Sequence, residues 1–140
     1  MQKKIMLSLC LAFALVLSGI AFAGSPNMKE GLWEITVTMN MPGVPMQMPP
    51  QVKTQCMTKD DLIPQKGPVE RCNGCKIIET KTKGDTVLWI EECASPDGTV
   101  RAEGKITYFG DSLNGKVKIT QNDMLMWQEI SGKWVGDCKK

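Results

Sequence analysis

Histidine is absent from all 140 residues. The commonest general base and the imidazole metal ligand are therefore missing. A covalent haem site would need C-x-x-C-H, but Lys76 follows Cys72-Asn-Gly-Cys75. No nucleophile elbow and no glycine-rich phosphate loop occurs. The carboxylates that do adjoin, such as Glu91-Glu92, are neighbours in sequence. On a strand, neighbours point to opposite faces, so these two cannot work as an acid–base pair. The chain is thus expected to be no enzyme and to need no cofactor.

A basic excess is also lacking. Residues 1–23 read as a cleaved export signal. Lys3 and Lys4 precede an apolar run from Ile5 to Ile20, and Ala21-Phe22-Ala23 forms an A-x-A cleavage site. Cys10 falls inside this run and is discarded with it. The segment carries two of the seventeen basic residues and no acidic one, so residues 24–140 balance at 15 against 15. Nothing in that balance supports a nucleic-acid partner. No second long apolar run follows, so no transmembrane segment is expected after cleavage. The remaining 117 residues suit a single domain placed in the periplasm.

What the chain does hold is cysteine and alternation. Cys56, Cys72, Cys75, Cys93 and Cys138 survive processing. In an oxidising compartment that makes two bridges and one thiol over. The stretch from Cys75 to Cys93 reads as a hairpin around Lys83-Gly84-Asp85. With a three-residue loop, Cys75 faces Cys93, Lys76 faces Glu92, Ile78 faces Ile90 and Thr82 faces Thr86. Cys56–Cys138 is then the natural second bridge, and Cys72 the spare thiol, available for a disulfide-linked dimer.

Gly31 to Met41 alternates, with Trp33, Ile35, Val37, Met39 and Met41 on one face. Pro42 to Pro50 can be neither helix nor central strand. Strands are expected at Gln51–Met57, Val100–Phe109, Leu113–Gln121, Met124–Ile130 and Trp134–Cys138. A short helical turn is expected at Thr58–Ile63, and a further turn at Ser131-Gly132-Lys133. Around Gly110-Asp111, Tyr108 opposes Leu113, Ile106 opposes Gly115, Gly104 opposes Val117 and Ala102 opposes Ile119. Large meets small across one face, as a tightly curved sheet requires. The expected fold is all-β, a single curved antiparallel up-and-down sheet of about seven to eight strands, with closure into a small barrel as its limiting form.

These landmarks occur in one order: Gly31-Leu-Trp-Glu34, the Met/Pro segment 39–50, Thr54-Gln-Cys56, Cys75-Lys76, Glu92-Cys93, Gly110-Asp-Ser112 and Gly136-Asp-Cys138. Together they resemble the bacterial exported family known as domain of unknown function 3617. The resemblance implies a small envelope protein with four recurring cysteines, matching Cys56, Cys75, Cys93 and Cys138, and leaves Cys72 as an addition. It brings no activity, substrate or catalytic residue.

Two groups remain as candidate sites. Met39, Met41, Met46 and Met48 form a methionine cluster that could pack the sheet's end, present an apolar tip, or offer soft thioether ligands. Trp33 and Trp89, with Trp127 and Trp134, either line a cavity for an apolar ligand or form the core itself. No metal site is assigned. The expected function is binding of an apolar ligand or an envelope protein. The alternative is a Cu(I) or thiol-redox protein using the methionines with Cys72 and Cys75.

Overall fold

A computed structural model describes residues 24–45, 48–64 and 74–139. The expected export signal 1–23, Met46 and Cys72 lie outside the described residues. Seven strands form one antiparallel sheet: β1 (Gly31–Asn40), β2 (Gln51–Met57), β3 (Cys75–Lys83), β4 (Thr86–Ser95), β5 (Gly98–Tyr108), β6 (Ser112–Gln121) and β7 (Met124–Gly136). Their spatial order is β2-β1-β7-β6-β5-β4-β3. This is the order of an up-and-down barrel opened between β2 and β3. With an odd number of alternating strands, β2 and β3 run in the same direction, so they cannot complete the antiparallel pattern. The sheet is not closed, and both edges stay free of a ladder among the described residues.

The sheet nevertheless curls strongly. Trp33 on β1 meets Tyr108 on β5 edge-to-face at 6.2 Å between ring centroids. Two strands lie between them, so a flat sheet would hold them about 14 Å apart. Curling buries one face. Trp33, Ile35, Val87, Trp89, Ile106, Tyr108, Leu113, Val117, Ile119 and Ile130 all belong to that inner face and to the core. Small residues permit the curvature. A Cβ on Gly104 would lie 2.1 Å from the Trp89 ring, and one on Gly115 would lie 2.4 Å from Ile106.

The β5–β6 register is the expected one, from Tyr108 opposite Leu113 to Ala102 opposite Ile119. Three expectations need correction. The β3–β4 turn has two residues, since Lys83 pairs with Thr86, and a bulge at Ile78 absorbs the difference. Cys75 still faces Cys93 and Lys76 still faces Glu92, but Thr82 faces Val87. The Ser131-Gly132-Lys133 turn does not form, so no eighth strand begins at Trp134. Gly132 stays in β7 because Ile35 and Leu113 approach to 2.8 and 2.9 Å of where its Cβ would sit. At Thr58–Ile63 there is only one hydrogen-bonded turn, with Asp61 N donating to Thr58 O at 3.0 Å. The chain then stays extended so that Leu62 and Ile63 pack on the core.

Both expected bridges are present, Cys75–Cys93 across 18 residues and Cys56–Cys138 across 82. Among the described residues no helix is long and apolar enough to cross a membrane.

Candidate functional site

The two ends of the curled sheet differ. At one end lie the start of β1, the end of β2 and the turns β3–β4 and β5–β6. Residues 26–30 cross this end and tie it shut. Asn27 N donates to Asp85 Oδ1 at 2.8 Å, Lys29 N to Gly110 O at 2.9 Å, and Gly110 N to Asn27 O at 2.7 Å. The indoles are held there too. Trp33 Nε1 donates to Lys29 O at 2.9 Å, and Trp134 Nε1 donates to Glu30 O at 3.1 Å. Lys29 Nζ sits 3.3 Å over the Trp134 ring. The Tyr108 hydroxyl donates to Leu62 O. Its pKa is raised, first by burial and then by the Asp61 carboxylate.

The opposite end carries no such crossing segment among the described residues. Cross-strand register there stacks the inner face in rows. One row runs Met39, Gln128, Val117, Gly104, Trp89, Thr80. The next runs Met126, Ile119, Ala102, Glu91, Ile77. The outermost runs Met124, Gln121, Val100, Cys93, Cys75. Val37, Met39, Val100 and Met126 are only half-buried, and Met124 is 59% exposed. This end is therefore a mainly apolar basin with a methionine rim, into which Glu91 and Gln121 also face.

Gln128 is the one buried polar side chain among the described residues. It is 6% exposed, and its Nε2 has no hydrogen-bond partner. A buried donor left unmatched costs about 1–3 kcal/mol.

Of the expected site residues, Met39 and Met41 are half-buried at this end, and Met48 is exposed in the loop that follows β1. Trp33 and Trp89 are 0% and 6% exposed and belong to the core, and Trp89 also reaches the lining of a cleft on the outer face. Cys75, Cys93 and Glu91 group within ligand distance of one another, but the two sulfurs are bonded together. Cys75 is therefore not a free thiol for Cys72 to pair with. Glu91 faces inward and Glu92 outward, where it meets Arg101 Nη1 at 2.7 Å. The sequence reading overlooked Gln128, although Met126-x-Gln128-x-Ile130 already placed it on the apolar face of an alternating strand.

A family match spans residues 28–138, and the chain belongs to that family, described as "Protein of unknown function (DUF3617)". Neither the curated proteins nor the solved structures gave a match.

Proposed function

We propose that this member of a family without an assigned activity is an exported, non-catalytic binding domain of the bacterial envelope. Its ligand is apolar and carries one hydrogen-bond acceptor. It enters at the open end, between Met39 and Met126, and its acceptor oxygen meets Gln128 Nε2. The observation that carries this reading is the unmatched donor of Gln128 beneath a half-exposed apolar rim. Folding alone would favour Leu there, because a buried amide without a partner destabilises. Methionine suits such a rim, since its unbranched thioether adapts to varied apolar shapes.

Native mass spectrometry of the protein taken from the periplasm tests the reading. A retained small molecule is expected, and Met39→Asp/Met126→Asp should release it. Gln128→Leu should leave stability equal or higher while weakening retention at least about tenfold, the loss of one buried hydrogen bond. A bare chain that also fails to bind the neutral probe N-phenyl-1-naphthylamine would overturn the proposal.

A further inference from the structure

The outer face carries an open cleft of about 620 Å³ that the reading above does not use. Half-buried apolar side chains flank it, Leu88 and Ile90 on β4 and Trp127 on β7, and Trp89 and Gly104 also reach its lining. Between these flanks, on β5 and β6, stand Lys105, Lys116 and Lys118 with Glu103, and β3 adds Lys81, Lys83 and Glu79. Both carboxylates are already engaged. Glu79 pairs with Lys81, whose hydrogen bond and charge hold its carboxyl below the ordinary range. Glu103 accepts from Arg101 Nε at 3.1 Å.

The lysines are less well matched. Lys105 and Lys116 stand directly opposite each other in the β5–β6 ladder. Like charges in that position destabilise a sheet. Lys116 has one counter-charge, Glu129 at 3.3 Å. Lys83, Lys105 and Lys118 have no carboxylate partner among the described residues. The charges of residues 24–140 balance, so positive charge is gathered here while the rest of the chain is correspondingly acidic.

Apolar flanks and a cationic centre together select one ligand class. A bare phosphate would leave Leu88 and Ile90 unused. An uncharged lipid would leave the Lys105–Lys116 repulsion unrelieved. An extended nucleic acid would run off the cleft onto Glu34, Glu92 and Glu129, which lie on the same outer face. The cleft is concave and of small-molecule size, within the ~300–1,000 Å³ usual for ligand sites. We propose that it binds a single-chain anionic amphiphile. The carboxylate or phosphate head lies between Lys105 and Lys116, with Lys118 beside it. The hydrocarbon chain lies over Leu88 and Ile90 on the neighbouring strand. This inference stands apart from the open-end reading: its lysines face outward, whereas Met39, Met126 and Gln128 face inward, and the two linings share only Trp89 and Gly104.

Calorimetric titration of the whole oxidised protein with dodecyl phosphate, kept below its micelle concentration, is the test. The parent should bind it, more weakly as salt is raised. Inorganic phosphate and dodecyl maltoside should each bind at least about tenfold more weakly, each lacking half of the recognition. Lys105→Gln/Lys116→Gln should lose at least about tenfold in affinity, the scale of one charge-assisted contact. The same variant should melt no lower than the parent, because it removes a like-charge pair; Lys118→Gln alone should show a smaller loss in the same direction. Equal affinity for dodecyl maltoside, an unaffected double variant, or binding confined to phosphatidylglycerol vesicles would each overturn the proposal.

Discussion

The closed and open ends of this sheet are built by the same strands, yet among the described residues only one end is crossed by a covering segment. At the closed end Trp33, Ile35, Met57, Tyr108 and Leu113 are at most 1% exposed, and residues 26–30 cross over them. At the open end the inward-facing Ile77 and Met124 are 42% and 59% exposed. The strands themselves do not make the difference, since both ends continue the same inner-face alternation. What differs is a short N-terminal segment and the pair Leu62–Ile63, which cover one end and are absent from the other. Stability should therefore concentrate where residues 26–30 cross the curled sheet.

The largest effect expected is on the closed end. Trp33→Ala should destabilise by about 3–5 kcal/mol, the usual range for a buried aromatic. Urea unfolding measures it, and a loss below about 1 kcal/mol would erase the contrast. Next come the bridges. Chain entropy assigns about 4.5 kcal/mol to the loop closed by Cys56–Cys138 and about 3 kcal/mol to that closed by Cys75–Cys93. The paired Cys→Ala variants should rank in that order in denaturant midpoint, and the reverse order would contradict the chain-entropy account. Gly104→Ala should cost about 1–3 kcal/mol by forcing Trp89 out of its seat. Part of that loss should disappear in the background Trp89→Leu, because the two sites share one space.

Tyr108→Phe should cost about 1–2 kcal/mol, because Leu62 O loses its donor. The phenol also makes stability depend on pH. Its ordinary value is 10.0 and burial raises it in the folded chain. The unfolded chain therefore releases the proton first. The stabilising contribution is complete below about pH 10 and is lost as pH rises toward the folded value. Unfolding curves at about pH 8 and about pH 11 should diverge more in the parent than in Tyr108→Phe. Smallest of all, Met124→Ala should change stability by less than about 0.5 kcal/mol, as expected of an exposed side chain. A larger loss there would mean that the open end is packed in solution.

Much of this was legible because turns and alternation act locally. Gly110-Asp111 between two alternating runs sets the β5–β6 register outright, and the opposed cysteines set the outer end of β3–β4. Near Gly84 the register was misread, because a three-residue loop and a two-residue loop with a bulge contain the same number of residues. Nothing in Ile77-Ile78 distinguishes them. Gly132 looked like a turn residue, but it is there to admit Ile35 and Leu113 from strands distant in sequence. The joining of β1 to β7, which sets the ring order, depends on the same long-range contacts and has no local signature. The tryptophans show the same limit. Trp33 and Trp89 are indistinguishable by composition from cavity-lining residues, and only the curl of the sheet makes them core.

Residue-resolved amide hydrogen exchange on the oxidised protein tests most directly the barrel opened between β2 and β3 and sealed at one end. Slow exchange is expected in β1, β6 and β7 toward Trp33 and Leu113. Fast exchange is expected along the outer edges of β2 and β3 and around Met124, where the described residues supply no ladder partner or covering segment. Equal protection at both ends, or strong protection along both outer edges, would contradict it.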